Sequence, residues 1–482
     1  MNFYKLYVTI TRGGVVLLPG LREINGLRTK LCHERKHIKL MAGKSESKLA
    51  YEFAEGYKDF LNKAKTEREA VAFILDRAVQ AGFKNFDCSG TYKAGEKVFC
   101  VNRNKNIVLA IIGKNGVKNG ARIVVSHIDS PRLDLKPHPL YESNELAMLK
   151  TNYYGGIKKY QWVALPLALH GTVALQNGEV LDITAGEFDD DFCFCITDLL
   201  PHLAREQMEK IMLKAIVGED LNVLVGSVPL EKGKGSDLVK LGILNILNQK
   251  YGLVEEDLSF AEFEIVPSIK ARDVGFDKSL IGGYGHDDRC CAYPAFMAAM
   301  SAPMPDETCV IMFVDKEETG SDGNTGMKSS FLKHFIADLS ACEGVKGRHV
   351  FQKSKCISAD VDSAFDPTFS CQYEPLNSAY INKGVVLTKY TGGGGKYSAS
   401  DASVEFLGEI RKIFEKEKII WQTGGMGKVD AGSGGTVAKY LANLDMDVID
   451  LGIPVLSMHA PFEVISKLDI HEMFKALKAF IK

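Results

Sequence analysis

The stretch CVIMFVDKEETG, Cys309–Gly320, places a continuous apolar run directly before a group of acidic residues. A short apolar run of this kind is typical of a strand that is buried on both faces of a sheet. Glu317 and Glu318 stand side by side just after that run, although adjacent like charges repel each other. Either the two carboxylates diverge into water, or a strongly positive group lies beside them. The stretch therefore predicts a buried strand with an unusual concentration of charge at its end.

Strand-like runs followed by loops and helices recur on both sides of this stretch. They include NIVLAIIG at 106–113, ARIVVSHID at 121–129, KCISADVDSAF at 355–365 and VIDLGIPVLSMHAPFEVI at 448–465. Helical periodicity is clear from about residue 45, and Thr66 with Glu69 has the spacing of a capping box that begins a second helix. This alternation predicts an α/β fold built on one sheet, with a separate insert in the middle of the chain.

The middle of the chain differs from its flanks. Residues 141–270 hold short strand-like runs, such as GTVALQNGEVLDI and LNVLVGSVPL, around one or two helical runs. We expect these residues to form a β-rich domain inserted into a domain made of 43–140 and 271–482. Residues 1–42 carry mostly basic charges and show little helical periodicity. We therefore expect a leader that is disordered or that precedes a true start at Met41.

Composition excludes several classes of protein. With 482 residues, 25% charged and 46% hydrophobic, the chain is typical of a soluble globular protein of two domains. The net charge of −2 and the lack of a basic stripe disfavour nucleic-acid binding, and no run approaches the roughly 18 apolar residues of a membrane span. The 11 cysteines include no C-x-x-C pair, which indicates free thiols in a reducing compartment and hence a cytoplasmic protein.

Histidines and acidic residues gather beside the apolar runs, and most of them follow a predicted strand. The residues are His127, Asp129, His286, Asp287, Asp288, Asp315, Glu317, Glu318, Asp360, Asp362 and His459. In open α/β sheets, ligands bind at the carboxyl ends of the strands. Each residue alone has an ordinary structural explanation, but the recurrence of this pattern at separate strand ends indicates one shared site.

A pair of divalent cations explains why the acidic residues are concentrated there. Two metal ions about 3.5–4 Å apart need a bridging carboxylate, further His or carboxylate ligands and an activated water. Zinc, manganese and cobalt accept such ligands. Neighbouring side chains of an extended segment point to opposite sides, so Glu318 could bind metal while Glu317 serves as general base. The spacing of His127 and Asp129 lets the carboxylate support the imidazole ring.

Five ordered motifs carry a family resemblance: SHIDSPRLDLKP at 126–137, YGHDDR at 284–289, DKEETGS at 315–321, SAD at 358–360 and PVLSMHA at 454–460. Together they resemble the aspartyl-aminopeptidase-like family of dinuclear zinc aminopeptidases, in its bacterial type. The resemblance implies a three-layer α/β/α zinc-exopeptidase domain. It implies as metal ligands His127, Asp287, Glu318, Asp360 and His459, with Asp287 bridging, and as catalytic residues Glu317 and Asp129. It also implies a cis peptide bond between Asp287 and Asp288.

The resemblance further implies an assembly and two substrate contacts. Family members carry a dimerisation domain between the first histidine and the bridging aspartate, and they form shells of twelve subunits. The matching insert here is 141–270, which implies a homododecamer. His202 in LLPHLAREQ would complete the active site of a neighbouring subunit, and Lys383 in YINKG would contact the substrate.

The implied function is a metal-dependent aminopeptidase that hydrolyses the N-terminal residue of peptides, using two divalent ions and a water held between them. Zinc is the expected ion, and manganese and cobalt are alternatives. One other reading is a related di-metal carboxypeptidase or amide deacylase, although no arginine is convincingly placed beside the motifs to bind a terminal carboxylate. Another is a non-catalytic shell protein, which the intact ligand set and Glu317 disfavour. Nucleotide binding is disfavoured because Lys428 precedes Val429 rather than a hydroxyl residue.

Overall fold

A computed structural model describes residues 8–11, 14–17, 21–190, 192–230, 235–432 and 434–482. The strands in chain order are β1 Val8–Thr11, β2 Gly14–Leu17, β3 Lys84–Asn85, β4 Lys97–Asn102, β5 Asn106–Ile111, β6 Ala121–His127, β7 Arg132–Ser143, β8 Leu146–Tyr154, β9 Leu167–Ala174, β10 Val180–Ala185, β11 Cys195–Ile196, β12 Val223–Gly226, β13 Ala261–Pro267, β14 Arg272–Val274, β15 Leu280–Gly283, β16 Thr308–Val314, β17 Lys355–Ala359, β18 Asp362–Ser363, β19 Val385–Thr388, β20 Trp421–Thr423, β21 Asp447–Gly452, β22 Pro454–Val455 and β23 Glu463–Ser466.

The helices in chain order are α1 Leu21–Leu31, α2 Ile38–Met41, α3 Lys44–Lys63, α4 Glu67–Gln80, α5 Arg205–Met208, α6 Met212–Ala215, α7 Leu238–Tyr251, α8 His286–Ser301, α9 Phe331–Cys342, α10 Gly347–Lys353, α11 Val404–Glu417, α12 Ala438–Ala442 and α13 Lys467–Phe480. Short 3₁₀ turns span Lys159–Gln161, Gly218–Asp220, Glu255–Phe260, Glu317–Thr319 and Pro367–Gln372. The predicted capping box is present at the start of α4, where the Thr66 hydroxyl accepts from the Glu69 amide and the Glu69 carboxylate accepts from the Thr66 amide.

A central sheet organises the described residues, in the order β20-β19-β21-β17-β6-β16-β5-β4-β3. The neighbours β21, β17, β6 and β16 are parallel, whereas β5 and β19 run antiparallel to the adjacent strands β16 and β21. The sheet is therefore mixed. Its four parallel strands place their carboxyl ends at one edge, as the strand-end clustering predicted.

Helices cover both faces of the central sheet, because alternate residues of a strand point to opposite sides. In β16, Cys309, Ile311 and Phe313 pack into one core with α3, α4, α8, α11 and α13. Val310, Met312 and Val314 pack into a second core with α9, α10 and α12. The expected three-layer α/β/α arrangement is confirmed.

A second sheet of antiparallel pairs lies beside this domain, in the order β10-β9-β13-β7-β8-β12-β11. It has its own hydrophobic core, which includes Trp162, Leu133 and Ile265. Its strands run from Arg132 to Pro267 and so begin before residue 141. The division into domains at 140 and 271, and the role of the insert in dimerisation, stay predictions.

The segment predicted as a leader, residues 1–42, falls partly outside the described residues. Within it, the backbone amide of Ile38 donates to the Asn382 carbonyl at 3.0 Å, and Ile38 is buried. No helix in the described ranges combines the length and apolarity needed to cross a membrane. All eleven cysteines lie in those ranges and are free thiols.

Candidate metal centre

Two groups of potential metal ligands meet at the carboxyl edge of the central sheet and share Asp287. One consists of His127, Asp287 and Asp360, and the other of Asp287, Glu318 and His459, with the ligand atoms of each group within 4.8 Å of one another. The His127 Nε2 atom lies 3.1 Å from Asp287 Oδ1 and 3.7 Å from Asp360 Oδ1. On the other side, His459 Nε2 lies 3.3 Å from Asp287 Oδ2 and 3.5 Å from Glu318 Oε2. Each oxygen of Asp287 therefore faces a different group.

The fold brings these residues together from separate strand ends. His127 is the last residue of β6, and Asp360 directly follows the neighbouring parallel strand β17. Glu318 lies in the turn after β16, on the other side of β6. His459 comes from the loop between β22 and β23, and Asp287 from the start of α8.

The backbone around Asp287 is held by buried partners. The peptide bond between Asp287 and Asp288 is cis, which confirms the expectation from the family resemblance. The Ser130 hydroxyl donates to the Asp287 carbonyl at 2.7 Å, and the buried Arg289 guanidinium donates to the Ser130 oxygen at 2.9 Å. Glu463 accepts from the Asp287 amide at 3.1 Å through one oxygen and from the His459 amide at 2.7 Å through the other. This one buried carboxylate therefore holds the backbone of two candidate ligands.

Asp129 has a wider role than the support of one imidazole. His127 Nδ1 lies 3.1 Å from the Asp129 carbonyl oxygen and 3.3 Å from Asp129 Oδ1. The backbone amides of Glu317 and Glu318 also donate to the Asp129 carboxylate, at 3.1 and 3.2 Å. The Tyr154 hydroxyl donates to Asp129 Oδ2 at 2.8 Å. The fully buried Asp129 thus connects the histidine to the turn that carries both glutamates.

The expectation of an extended segment at Glu317 and Glu318 is wrong. These residues begin a 3₁₀ turn, which follows Lys316 in the left-handed conformation at φ 67°. Both side chains line the same cavity rather than opposite sides of a strand. The turn forms because the Asp129 carboxylate accepts from the two consecutive amides, which a continuing strand would direct to opposite sides.

The electrostatics of the centre are dominated by closely spaced, buried acids. Burial raises the pKa of Glu317 to about 8; His127 opposes this shift, and the nearby carboxylates Asp360, Asp129 and Asp287 add to it. Burial and Asp287 also raise the pKa of Glu318 well above its usual range. Burial alone would lower the pKa of His459, but Asp287 and Glu318 outweigh it and raise this pKa to about 11. Positive charge bound beside these buried carboxylates would therefore stabilise their ionised forms.

The donor set fits divalent metal ions. Among the described residues, the ion-pair partners of Asp287, Asp360 and Glu318 are His127 and His459, and neither lysine nor arginine pairs with them. The Glu318 Oε1 atom is buried and has no hydrogen-bond partner. Imidazole nitrogens and carboxylate oxygens are ligands that zinc accepts. Bound cations would also offset the repulsion between the adjacent glutamates.

The centre opens into a cavity of about 1020 Å³. Its walls include Glu317, Glu318, Asp360 and His459 together with two glycine-rich segments, TGGGG at 391–395 and GGMGK at 424–428. This volume is in the range of cavities that bind small organic ligands and short peptide segments. The candidate ligands therefore face a space that a substrate can enter.

The two residues predicted to contact substrate lie elsewhere in the single chain. His202 is exposed in the turn before α5, away from the cavity lining. Lys383 is half-buried, and its Nζ donates to the Arg35 carbonyl at 3.4 Å rather than lining the cavity. Their contacts with substrate stay predictions, and for His202 the prediction depends on a neighbouring subunit.

The sequence motifs did not include three residues that contact the centre: Glu463 accepts from the Asp287 and His459 amides, the Tyr154 hydroxyl donates to Asp129, and the Gly156 carbonyl oxygen lies 2.9 Å from His459 Nδ1. Glu463 follows His459 closely in MHAPFEVI, and an acid at the start of the strand-like run EVI was the available signal. Tyr154 and Gly156 lie in NYYGG, far from every ligand in sequence. The glycine pair was a signal of close backbone approach, but nothing local indicates which group comes close.

Comparisons with known proteins identify related sequences and structures. Residues 60–481 match the family model described as "Aminopeptidase I zinc metalloprotease (M18)". The chain is 47% identical over 442 residues to "Probable M18 family aminopeptidase 1" of Clostridium acetobutylicum, covering 90% of this chain and 95% of the relative. The relative of the same name from Thermotoga maritima is 41% identical over 460 residues, covering 94% and 99%.

Solved structures are similar over nearly the whole chain. The crystal structure of aminopeptidase I from C. acetobutylicum has a TM-score of 0.89 at 43% identity and covers 94% of this chain and 100% of that one. The M18 aminopeptidase of T. maritima has a TM-score of 0.88 at 40% identity, with coverage of 93% and 99%. The yeast mApe1 dodecamer shares the fold at 20% identity, with a TM-score of 0.72 and coverage of 91% and 97%.

Proposed function

The chain belongs to the aminopeptidase I zinc metalloprotease (M18) family and is a metal-dependent aminopeptidase, and we propose that its reaction takes place in the centre around Asp287. We assign as ligands of two divalent ions, zinc by preference, His127, Asp287, Glu318, Asp360 and His459. The observation that supports this assignment is the pair of ligand groups that share Asp287. One oxygen of this carboxylate faces each group, as a bridging ligand requires.

Bound divalent ions would supply Lewis-acid polarisation of the scissile carbonyl and lower the pKa of water. The Glu317 carboxylate would accept a proton from the attacking water and deliver it to the leaving amine nitrogen. Its amide is fixed by Asp129, so the carboxylate is directed from a rigid turn into the cavity. The acidic lining would attract the protonated α-amino group of a peptide, which favours cleavage at a free N-terminus.

The test is hydrolysis of a panel of dipeptides with Asp, Glu, Leu, Lys or Arg at the free N-terminus, beside N-acetylated forms of each. Each reaction runs with added zinc, manganese or cobalt and with a chelator. We expect cleavage that needs metal and a free amine, and a loss of about 10²–10⁴-fold in kcat for Glu317→Gln. Glu415→Gln, on the exposed side of α11, is the matched control. Equal cleavage of acetylated substrates would favour the deacylase alternative, and no cleavage of any peptide by the metal-loaded protein would favour the shell protein.

We also propose that the chain assembles into a homododecamer in the cytoplasm. Support for assembly comes from a run of exposed apolar side chains in the second-sheet region: Leu199, Leu200, Leu203, Met208, Ile211, Met212 and Leu213. A concentration of exposed large apolar side chains in one segment is typical of protein interfaces. The eleven free thiols fit a reducing compartment. Sedimentation analysis of the purified protein tests the subunit number, and any number other than twelve would contradict the proposal.

A further inference from the structure

We propose that Tyr154, Gly155 and Gly156, at the end of β8, position the metal ligands, so that the second sheet forms part of the metal centre. The inference rests on the proposed function, since it assigns positioning residues for that reaction. The three residues are consecutive, and each approaches a different residue of the centre. None of them was singled out by the sequence motifs.

The hairpin formed by β7 and β8 explains how a segment of the second sheet reaches the ligands. Strand β7 starts at Arg132, directly after the segment that contains His127 and Asp129. In the antiparallel pairing, Arg132 lies opposite Tyr154. A hairpin returns its chain to the level where it began, so the end of β8 must come back beside Asp129.

Tyr154 acts on the centre through Asp129. Its hydroxyl donates to Asp129 Oδ2 at 2.8 Å, and both residues are buried. The Arg132 guanidinium lies 4.0 Å from the centre of the Tyr154 ring, which limits movement of the ring. Since Asp129 also accepts from the Glu317 and Glu318 amides, the hydroxyl helps to hold the carboxylate that fixes this turn.

Gly156 acts on His459. The His459 Nδ1 atom lies 2.9 Å from the Gly156 carbonyl oxygen, which requires the proton on Nδ1 and leaves Nε2 free to bind metal. The Nε2 atom faces Asp287 and Glu318, as a ligand atom must. The His459 side chain is 35% exposed, whereas His127 is 2% exposed. His459 therefore depends on this carbonyl for its orientation, whereas His127 is held both by burial and by its contacts with Asp129.

The glycine pair is required by the close approach. Gly155 has φ 75°, and a Cβ atom there would lie 3.3 Å from both Cβ and Oε2 of Glu318. A Cβ atom on Gly156 would lie 3.2 Å from His459 Nδ1, tighter than an ordinary carbon–nitrogen contact. A side chain at either position would displace a candidate ligand. Because φ of Gly156 is not in the left-handed region, Gly156→Ala brings a Cβ atom close to His459 without straining the backbone.

The experiment compares Tyr154→Phe and Gly156→Ala with two matched controls. Tyr153→Phe removes the hydroxyl of the adjacent, partly exposed tyrosine, and Gly408→Ala adds a methyl group to a helical glycine with open space around it. The readouts are the zinc dissociation constant by competition with a colorimetric chelator, the visible spectrum of the cobalt-loaded protein, and kcat and KM separately. Thermal unfolding of the metal-free protein monitors folding.

We expect Gly156→Ala to weaken zinc binding by about 10–100-fold and to change the cobalt spectrum, and Tyr154→Phe to weaken it by about 10-fold. We expect kcat to fall more than KM changes, while both controls match the wild type. Wild-type zinc affinity and cobalt spectrum in both test variants would overturn the proposal. If Gly156→Ala does not fold, the zinc affinity of Tyr154→Phe tests the proposal, because this substitution removes only one hydroxyl group. If the wild-type protein showed no metal-dependent cleavage, only the proposed function would be refuted, because the zinc affinities test the positioning of the metal ligands without relying on activity.

Discussion

Arg132, the first residue of β7, joins the second sheet to helix α4, and its removal should destabilise the protein severely. Its side chain is 7% exposed, and its guanidinium lies 3.3 Å from Glu67 of α4, 3.1 Å from Glu264 of β13 and 2.8 Å from Asp134. Glu67 and Glu264 are almost fully buried. Removing one partner of a buried ion pair costs about 3–5 kcal/mol, because the remaining charge loses its compensation. We expect Arg132→Met to lower the free energy of unfolding by that amount.

The two buried glutamates should respond differently. Glu67 keeps Lys105, whose Nζ lies 3.2 Å from Glu67 Oε1, whereas the ion-pair partner of Glu264 among the described residues is Arg132. Arg132 and Lys105 outweigh burial and lower the pKa of Glu67 to about 2. Burial opposes the charged form of Glu264 and raises its pKa well above its usual range, so among the described residues this carboxylate relies on the Arg132 ion pair to remain charged. Glu264 is therefore the residue that the substitution leaves unpaired. Adding Glu264→Gln to Arg132→Met should recover about half of the lost stability.

The assay is urea unfolding of the wild type, the two single variants and the double variant, with zinc and protein concentration held constant. Arg68→Met is the matched control, since its pair with Glu262 is partly exposed and should contribute about 1 kcal/mol or less. An Arg132→Met variant within about 1 kcal/mol of wild type would refute the buried-charge argument. Failure of Glu264→Gln to restore stability would refute the assignment of Glu264 as the unpaired charge.

Three further predictions concern pH, helix capping and metal. Burial would lower the pKa of His170, but Glu187 and Glu69 raise it to about 9. The protonated imidazole should therefore stabilise the folded protein by about 3 kcal/mol, fully below pH 6.5 and no longer once the pH rises through 9. Urea midpoints measured from pH 6 to 10 should show this loss in the wild type and not in His170→Gln. Thr66→Ala removes the capping box and should cost about 1 kcal/mol, with Thr66→Ser near wild type in the same assay. Free zinc at 100 times Kd should stabilise the protein by about 2.7 kcal/mol for each ion bound. Thermal unfolding with zinc or with chelator should show no difference in Asp287→Asn if Asp287 joins both ligand groups.

Local sequence patterns determined much of the fold because they act over a few neighbouring residues. Apolar runs such as 309–314 mark strands buried on both faces, and the Thr66 capping box marks the start of α4. Polar residues directly after parallel strands must lie at one edge of the sheet, so His127 and Asp360 could be placed together without a structure. The family resemblance carried by the five motifs implied the same for Asp287 and His459.

Tertiary structure alone decided how those residues are held. Strand direction is not encoded in an apolar run, so the antiparallel β5 and β19 could not be foreseen from the sequence. The turn at Glu317 depends on Asp129, which lies far away in the chain. The contacts of Tyr154 with Asp129 and of Gly156 with His459 likewise join segments that meet only after the sheets pack. A residue's own pattern limits its local conformation, whereas its hydrogen-bond partner depends on which distant backbone the packing brings within about 3 Å.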